Sequence, residues 1–324
     1  MDISQGSVAC VVVTRDRTEQ LRRAVTAIRD QSRRPDHLVV VDNGPEADVE
    51  AIAGSSGVPM TYLPSSTNLG GAGGFALGIL TARAHGADWV WLADDDGRPA
   101  DRWTLARLLV CAHEHRLDAV SPLVVDIDDP EQLAFPLRRG LRWVRRRDEL
   151  GPEVLVDGVA NLFNGALFSA AALDAVGVPD PRLFVRGDEV EVHRRLRRSG
   201  LRFGTCAPAL YLHPQGRDDW APLFGGRVMV LSPRDAEKRE RTYRNLGYLT
   251  AQPGLRWRRW PDASRYAWYY LAQQRDPEGF RHWLQCTREG RGERFPVVNA
   301  PAPLHPADTA SGATVHELMS SRAG

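Results

Sequence analysis

The first half of the chain alternates short apolar runs with longer amphipathic stretches. The apolar runs, rich in valine and leucine, predict strands at 8–13 (VACVVV), 37–42 (HLVVVD), 60–63 (MTYL), 88–93 (DWVWLA) and 119–125. The amphipathic stretches predict helices at 18–31, 74–85 and 102–115. Because continuous apolar strands that alternate with helices are typical of a parallel sheet covered on both faces, we predict an α/β fold with a mostly parallel sheet.

The pattern changes in the second half of the chain. Residues 137–150 are basic and irregular, whereas residues 186–200 predict a helix whose acidic start and basic end suit its dipole. From about residue 226, arginine alternates with tryptophan and tyrosine, which indicates a helical appendage. We therefore divide the chain into an α/β domain, an aromatic and basic helical region and a tail that is expected to be disordered, at 1–225, 226–295 and 296–324.

Composition narrows the classes of function. The net charge of +1 over 324 residues gives no indication of nucleic-acid binding, and Lys238 is the only lysine, which excludes a Walker A phosphate loop. The four cysteines are far apart in sequence, so we expect reduced thiols in a cytoplasmic protein. The N-terminus has no signal-peptide pattern, and no apolar run reaches the ~20 residues of a membrane span, so no transmembrane helix is predicted.

Three consecutive aspartates follow the predicted strand at 88–93. Ligands bind beyond the carboxyl ends of parallel strands, and alternating side-chain directions let Asp94 and Asp96 point the same way while Asp95 points elsewhere. Two such carboxylates, together with phosphate oxygens, suit Mg²⁺ or Mn²⁺. His213, which follows another apolar segment, is a candidate third ligand. A solvated turn with a helix cap, and a structural histidine, are the alternatives.

Polar residues also follow the first two predicted strands. Asp42 and Asn43 end the second strand, where a carboxylate can accept a hydrogen bond from a base imide or a ribose hydroxyl; a simple Asx turn is the alternative. Thr14 and Arg15 end the first strand. Because these strand ends would meet at one edge of the sheet, we predict a nucleotide site there.

The stretch NLGGAGGFALG at 68–78 contains a G-x-G-x-x-A pattern. A dinucleotide-binding turn would follow the first strand, whereas these glycines follow the third, so we interpret the match as accidental. The alternative that it would support is a nucleotide-dependent oxidoreductase. We expect Asn68, Gly70 and Gly71 to let backbone amides approach a sugar or diphosphate at a helix N-terminus. Close helix packing is the competing explanation of the glycines.

Carboxylates open the predicted helix in LFVRGDEVEVHRRL. Asp188 and Glu189 are adjacent, and neighbouring carboxylates raise one another's pKa, as a general base requires. Glu191 is interpreted as complementing the helix dipole. Either Asp188 or Glu189 is a candidate base.

In their order, these motifs resemble the family 2 inverting glycosyltransferases of the GT-A fold. The resemblance covers residues 8 to about 215 through VVVTRDR, VVVDNG, NLGGAGGF, ADDDG, NGALF, GDEVE and the later histidine. The stretches DDPEQLAFPLRRGL, FGTCAPALYLHP and KRERTYRNLGYL further resemble the actinobacterial galactofuranosyltransferases that initiate cell-wall galactan. That closer resemblance extends to about residue 295.

The resemblance implies a reaction and a donor site. The enzyme would transfer galactofuranose, with inversion, from UDP-galactofuranose to a polyprenyl-diphosphate-linked N-acetylglucosamine-rhamnose acceptor. A rhamnosyltransferase or another family 2 transferase with a different sugar nucleotide is the alternative. Asp42 would read uracil, Thr14 and Arg15 would line the nucleotide pocket, and Asp94 would contact ribose. The remaining candidate donor-binding residues are Asn43, Asn68, Gly70, Gly71 and Asp95.

The resemblance also implies a metal and a base. Asp96 and His213 would bind Mn²⁺ or Mg²⁺ with the diphosphate, and Asp94 is a further candidate ligand. The usual Glu-Asp motif of the family is reversed here. By position Glu189 would be the base, which we favour, and by residue type Asp188 would be.

A lipid-linked acceptor implies contact with the inner face of the cell membrane. The segment 255–270 and the stretch FRHWLQCTREGR suit an interfacial amphipathic element, although aromatic residues of a helical appendage are equally expected to be buried. The arginines of 138–147 would face lipid headgroups or the acceptor diphosphate, or form a solvated basic face. We therefore predict a cytoplasmic, peripheral membrane protein; the sequence leaves open whether it forms a homo-oligomer.

Overall fold

Every apolar run that the pattern predicts as a strand is a strand in the computed structural model. The structure describes residues 6–44, 48–140, 142–216 and 219–296, so the tail predicted to be disordered lies outside the described residues from 297 onward. The described strands are β1 (Val8–Thr14), β2 (His37–Asp42), β3 (Met60–Pro64), β4 (Trp89–Asp94), β5 (Arg98–Pro99), β6 (Ala119–Asp126), β7 (Gln132–Arg139), β8 (Arg142–Arg146), β9 (Leu155–Asp157), β10 (Leu167–Ser169), β11 (Phe203–His213), β12 (Trp220–Leu223) and β13 (Val228–Leu231).

The predicted helices are present, and the structure corrects the sequence predictions at two places, the start of α3 and the stretch 137–150. The described α-helices are α1 (Thr18–Arg29), α2 (Val49–Gly54), α3 (Gly70–Ala84), α4 (Thr104–Glu114), α5 (Ala170–Val176), α6 (Asp188–Arg198), α7 (Ala236–Leu249), α8 (Arg259–Ala267) and α9 (Pro277–Arg291), and a π-helix at Trp268–Gln274 continues α8. Helix α3 begins at Gly70 rather than at Gly74, so the clustered glycines lie inside the helix. The prediction of irregular structure at 137–150 is wrong, because β7 and β8 pair there as a hairpin that buries Leu137 and Val144 beneath exposed arginines.

The main sheet is mixed and mostly parallel, as predicted. Its strand order is β3-β2-β1-β4-β10-β6-β11-β5. The strands β1 to β4 are parallel to one another, and β6 is parallel to β11. The short strand β10 is antiparallel to both β4 and β6, and so joins the two parallel halves.

Alternating side chains of the central strands supply two separate cores. In β1, Val8, Cys10 and Val12 pack on one face against α1 and α4, while Val11 and Val13 pack on the other face against α3. Because both faces are covered, these strands are apolar at nearly every position, and the acidic side chains Asp42 and Asp94 lie at the carboxyl ends of β2 and β4. The candidate site therefore lies at that edge of the sheet.

A C-terminal layer packs beside the sheet. The hairpin β12–β13 shares a core with the C-terminal helices, formed with buried Tyr243, Tyr266 and Trp283. The predicted division at residue 225 falls within this hairpin. Helices α7 and α9 approach closely where a Cβ on Gly247 would lie 2.2 Å from the Thr287 carbonyl oxygen. Among the described residues, no helix has the length and hydropathy needed to cross a membrane.

Candidate active site

The register of the parallel strands brings the predicted polar residues to one edge. Thr14 at the end of β1 pairs with Asp42 at the end of β2, and Val13 of β1 pairs with Asp94 at the end of β4. His213 ends β11, on the far side of β10 and β6. The strand ends therefore converge as the sequence predicts.

Asp94, Asp96 and His213 form a cluster in which one ligand atom from each residue lies within 4.8 Å of the others. Asp94 is the last residue of β4, Asp96 lies in the turn that follows, and His213 is the last residue of β11. Gly97 makes this approach feasible, because a Cβ there would lie 3.2 Å from the His213 ring and 2.5 Å from the Tyr211 ring. The three residues that the sequence assigned to a metal are thus brought together.

The donor atoms of this cluster fit a divalent cation. The Nδ1–H of His213 donates to the Pro214 carbonyl at 2.6 Å, which leaves Nε2 facing Oδ1 of Asp96 at 3.0 Å. Oδ1 of Asp96 is buried and receives no hydrogen bond of good geometry from the described residues. Two acceptor atoms at this distance are stabilised by a proton on the ring or by a cation between them, and a backbone carbonyl that fixes the tautomer is typical of metal-binding histidines.

The pKa shifts of the two aspartates in the cluster also favour a bound cation. Burial raises the pKa of Asp94, and the neighbouring carboxylates Asp96 and Asp95 raise it further. Burial also acts against the charge on Asp96, but contacts with His213 and Arg17 lower its pKa below the ordinary value. Clustered carboxylates that repel each other in this way are stabilised by a cation.

Asp95 turns toward the end of β1. Its carboxylate accepts hydrogen bonds from the Thr14 hydroxyl at 2.9 Å and from the Arg15 N–H at 3.3 Å, and Arg17 pairs with it at 3.0 Å. Arg17 also reaches Asp96, at 2.8 Å. Asp95 therefore ties β1 to the turn after β4, and its role in donor binding stays a prediction. Sequence reasoning missed Arg17, although its position just beyond β1 places it at the same edge.

Asp42 is fully buried at the end of β2. The Tyr62 hydroxyl donates to its Oδ2 at 2.9 Å, and the Gly44 N–H donates to its Oδ1 at 3.1 Å. Burial, together with the Asp42 contact, raises the pKa of Tyr62, so this hydroxyl remains a donor. Sequence reasoning missed Tyr62, whose strand partner Val40 lies two residues before Asp42 on the same face.

Asn43 and Asn68 hold the start of α3. The Asn43 side-chain NH₂ donates to the Gly70 carbonyl at 3.0 Å, and Oδ1 of Asn68 accepts from the Gly70 N–H at 2.9 Å. Oδ1 of Asn43 is buried without a hydrogen-bond donor among the described residues. That oxygen is a free acceptor at the predicted nucleotide edge.

Most glycines of the 70–78 stretch have a packing reason. A Cβ on Gly70, which has a φ of +68°, would lie 2.2 Å from the Phe184 carbonyl oxygen. A Cβ on Gly74 would lie 2.6 Å from Val13 of β1. Gly74 lets α3 lie directly on β1, and Gly70 lets the start of α3 approach Phe184, so these glycines do not indicate a dinucleotide-binding turn.

Asp188 and Glu189 open α6 directly after Gly187. Asp188 is buried and faces Gly71, where a Cβ would lie 4.0 Å from Oδ2 of Asp188. Oε1 of Glu189 accepts from the Leu162 N–H at 2.7 Å. Gly71 therefore adjoins the acidic pair, unlike the glycines that pack on β1.

Burial raises the pKa of both carboxyl groups. The pKa of Asp188 rises to about 6. Burial raises that of Glu189 to about 7, with Asp188 adding to the rise and the Leu162 N–H and His213 opposing it. The acidic pair and the aspartate–histidine cluster therefore act on one another electrostatically. A carboxyl with a pKa near 7 suits a general base at neutral pH.

The segment 183–187 before this pair has an uncommon backbone. Phe184, Arg186 and Gly187 have φ angles of +59°, +66° and +95°. The side-chain NH₂ of Asn245, on α7, contacts three carbonyl oxygens of this segment at 2.7, 3.0 and 2.7 Å. Asn245 is buried and fixes the approach to α6. Nothing local in the sequence marks Asn245, because its partners lie about sixty residues away.

Two predicted residues make contacts outside the cluster. The Arg15 side chain is exposed and pairs with Asp16 at 3.1 Å, so a role in the nucleotide pocket stays a prediction. Glu191 pairs with Arg194 at 3.0 Å and with Arg195 at 2.6 Å. Those ion pairs lie within α6 and give Glu191 a structural role.

Known proteins resemble this chain in sequence and in fold. Residues 9–174 match the family model described as glycosyl transferase family 2. The chain is 56% identical over 294 residues to galactofuranosyltransferase GlfT1 of Mycolicibacterium smegmatis, which covers 89% of this chain and 97% of that relative. It is 54% identical over 295 residues to galactofuranosyltransferase GlfT1 of Mycobacterium tuberculosis, with the same coverage.

Solved structures share the fold at low sequence identity. TarS 1-349 of S. aureus in complex with UDP-GlcNAc matches with a TM-score of 0.57 and 13% identity, over 88% of this chain and 81% of that one. The complex of the same protein with UDP matches with a TM-score of 0.53, over 89% of this chain and 88% of that one. The predicted α/β architecture with a helical C-terminal region is confirmed.

Proposed function

The chain belongs to glycosyl transferase family 2 and is a glycosyltransferase, and from that membership we propose that it transfers galactofuranose from UDP-galactofuranose to a polyprenyl-diphosphate-linked acceptor, initiating a cell-wall galactan. The observation that carries this proposal is the 56% identity to a galactofuranosyltransferase over 97% of that relative's length. At this identity we expect that relative to have residues of the same type at the candidate site and at the positions that contact it.

The nucleotide is assigned to the edge formed by β1, β2 and β4. Asp42, held by Tyr62 and the Gly44 amide, is the acceptor for the uracil imide. Asn43 follows Asp42 along the chain, and its buried Oδ1, which has no donor among the described residues, is assigned to the same nucleotide edge. Asp94 is assigned to ribose and, with the metal, to the diphosphate.

Asp96 and His213, with Asp94, are the residues that would hold Mn²⁺ or Mg²⁺. The cation, when bound, offsets the negative charge that develops on the departing diphosphate. Arg17 holds the Asp96 carboxylate, and the Pro214 carbonyl holds the His213 ring, so the donor atoms are oriented by the protein itself. Such preorganised charges contribute because they need no rearrangement during reaction.

Glu189 is assigned as the general base. The acceptor hydroxyl oxygen attacks the anomeric carbon of the donor while the bond from that carbon to the β-phosphate oxygen breaks. The electron pair of that bond leaves with UDP, and the hydroxyl proton passes to the Glu189 carboxylate. Attack opposite the leaving group inverts the anomeric centre. The raised pKa of Glu189, about 7, makes its carboxylate basic enough to take this proton.

The lipid-linked acceptor also implies contact with the inner membrane surface. That contact would bring the hydroxyl group of the membrane-bound acceptor to the candidate site. Among the described residues, no helix could itself cross the membrane.

The experiment that tests the donor compares UDP-galactofuranose with UDP-galactopyranose on a short-chain N-acetylglucosamine-rhamnose acceptor. Mass spectrometry of the products is expected to show addition of galactofuranose units only. Transfer of galactopyranose at an equal rate, or transfer from neither donor, would contradict the proposal.

The Asp96→Ala variant tests the metal. Because Asp96 supplies one donor atom of the cluster, the variant is expected to lose metal-dependent transfer while its circular dichroism spectrum stays unchanged. Activity is measured after chelation and again with added Mn²⁺. Full activity of Asp96→Ala in chelator would remove the metal from the mechanism.

A further inference from the structure

The aromatic side chains of the C-terminal region divide into a buried set and an exposed set. Tyr243, Tyr266, Tyr270 and Trp283 form the core of the layer with the β12–β13 hairpin. Other aromatic side chains of the same region face solvent. The buried set forms the packed core that was one alternative raised by the sequence, and the exposed set comprises the residues to which the other alternative, an interfacial element, applies as a prediction.

Four of the exposed residues lie along a continuous helical stretch, made of a 3-10 helix at Arg256–Arg258, α8 and a π-helix at Trp268–Gln274. Trp257, Trp260, Trp268 and Leu271 are 64%, 73%, 48% and 47% exposed. They are separated by three, eight and three positions along this stretch, and all four face solvent. Buried residues at 262, 266 and 270 are interspersed with them along the same stretch, so the exposed and the buried residues occupy different sides of it. We call these four exposed residues the tryptophan stripe.

The tryptophan stripe is bordered by positive charge. Residues 251–275 contain five arginines and one acid, Asp262, which is buried and pairs with Arg258 and Arg265. Among the described residues, Arg256 and Arg259 have no acidic partner within ion-pair distance. The Arg259 guanidinium instead lies over the Trp260 ring, 5.6 Å from its centroid.

We propose that the tryptophan stripe, with Phe224, is the surface on which this protein docks to an anionic lipid bilayer. Large exposed apolar rows mark interaction surfaces rather than ordinary solvent-facing helices. Tryptophan side chains settle at the boundary between headgroups and acyl chains, and neighbouring arginines pair with anionic headgroups. A second copy of the chain fits less well, because it would bring two positively charged surfaces together.

The other basic surface of the protein lacks these features. The arginines of the β7–β8 hairpin are exposed, but Arg139 pairs with Glu153 at 2.5 Å and Arg147 pairs with Glu131 at 3.1 Å. The hairpin contributes one exposed tryptophan, Trp143, and no row. Its charge is partly neutralised within the protein, so the tryptophan stripe is the stronger candidate.

The tryptophan stripe is connected to the candidate active site through the β12–β13 hairpin. Phe224, at the turn of that hairpin, is exposed, and its ring lies 4.9 Å from the Trp268 ring. The hairpin follows β11 along the chain, and β11 ends in His213. Docking itself rests only on these exposed residues. Its purpose, presentation of the site to a lipid-linked acceptor, rests on the proposed function.

Flotation of the full chain with vesicles tests the surface. We expect binding to vesicles of phosphatidylcholine with phosphatidylglycerol, and little binding to phosphatidylcholine alone or at high salt. The double variant Trp260→Ser, Trp268→Ser is expected to lower the partition coefficient by about tenfold or more, because binding scales with the apolar area inserted. Arg256→Glu with Arg259→Glu is expected to lower it on the anionic vesicles.

Trp103→Ser is the matched control. Trp103 is 50% exposed and has an arginine, Arg102, over its ring at 5.2 Å, but it lies at the start of α4, outside the tryptophan stripe. This variant is expected to float like the wild type. Circular dichroism and thermal melting check that each variant is folded, and the charge-reversal variant, which alters only exposed side chains, gives a second test should the tryptophan variant misfold.

Three results would overturn the proposal. They are failure of the wild type to float with phosphatidylglycerol vesicles, unchanged flotation of the stripe variants, and sedimentation data showing that Trp260→Ser, Trp268→Ser abolishes self-association instead. Activity on a short-chain, water-soluble acceptor is expected to be unchanged in the stripe variants. Flotation without any galactofuranosyl transfer would leave the docking surface standing and reject the proposed function.

Discussion

At the scale of single residues, the site is a set of buried charges that the protein orients one against another. Asp95 is satisfied by Thr14 and Arg17 and fixes the turn that carries Asp96. Asp188 and Glu189 are raised in pKa by burial, to about 6 and about 7. A carboxylate therefore has a structural role in one position and is a candidate base in another, depending on its hydrogen-bond donors and its burial.

The assignment of the base predicts a pH dependence. A general base acts as the ionised carboxylate, so kcat/KM is expected to rise with pH, reach half its maximum near the Glu189 pKa of about 7, and fall below it. The Glu189→Gln variant is expected to lose activity by about 10²- to 10⁴-fold. Initial rates between pH 5 and 9, a range of about two units either side of that pKa, measure both effects.

The corresponding Asp188→Asn variant separates the two candidates. It is expected to lose less activity than Glu189→Gln and to keep the rise of kcat/KM near pH 7. A larger loss in Asp188→Asn, with the pH dependence abolished there, would transfer the role of base to Asp188.

At the scale of elements, close approach between secondary structures sets the site. Helix α3 lies on β1 because Gly74 and Gly78 remove the side chains that would meet Val13 and Val11. Helix α7 supports the segment before α6 through Asn245. The acidic pair is thus positioned by one helix of the sheet layer and one helix of the C-terminal layer.

Substitutions at two glycines of α3 separate packing from ligand access. Gly74→Ala would place a Cβ 2.6 Å from Val13, so a loss of about 1–3 kcal/mol in unfolding free energy is expected. Gly71→Ala meets only Asp188, at 4.0 Å, and is expected to keep the wild-type melting temperature while raising the KM for the donor. Thermal melts and donor titrations measure the two effects; equal stability losses would contradict the distinction.

Asn245 is expected to control the positioning of the acidic pair. Asn245→Ala leaves three carbonyls of the 183–187 segment without their donor, which costs about 1–3 kcal/mol for a buried group. We expect kcat to fall more than donor affinity, because the loop before Glu189 loosens. Asn245→Asp, which places oxygen atoms against those carbonyls, is expected to be worse than Asn245→Ala.

Thr242→Val is the matched control on the same helix. Thr242 is also buried, but its hydroxyl donates to the Lys238 carbonyl within α7 and does not touch the loop. It is expected to keep kcat. Equal effects of Thr242→Val and Asn245→Ala on kcat at equal stability would show that α7 acts only by general packing.

At the scale of the whole molecule, the α/β sheet and the C-terminal layer depend on each other. Ala72 of α3 and Leu183, just before α6, are buried against Tyr248 and Leu249 of α7. Removal of the C-terminal layer would therefore expose apolar surface next to the acidic pair and remove Asn245.

A chain that ends at Leu231 tests this dependence. It is expected to be poorly soluble and to lose transferase activity, since buried apolar contacts and the support of the 183–187 segment are lost together. Expression, size-exclusion chromatography and activity on the soluble acceptor measure the outcome. Wild-type kcat in the truncated chain would show that the sheet layer is catalytically self-sufficient.

The sequence by itself determined the strands β1, β2, β3, β4 and β6, the helices α1, α3, α4 and α6, and the acids at the strand ends. The run at 8–13 is apolar at every position because both faces of its strand are covered, and this local pattern can be recognised from the sequence alone. The convergence of Asp42, Asp94 and Asp96 followed from the parallel order, because the carboxyl ends of parallel strands share one edge. Family membership likewise followed from the order of the motifs.

Only the tertiary structure decided which partners each side chain has. Asn245 and Tyr62 reach the site across long sequence separations, and no local pattern encodes such contacts. From the sequence, the glycines of α3 were equally consistent with a ligand that approaches the backbone and with close helix packing. The position of Val13 beneath Gly74 shows that packing is the reason at Gly74. Tryptophans of similar sequence context became core at 283 and surface at 260, because burial is set by the neighbouring elements and not by the residue type.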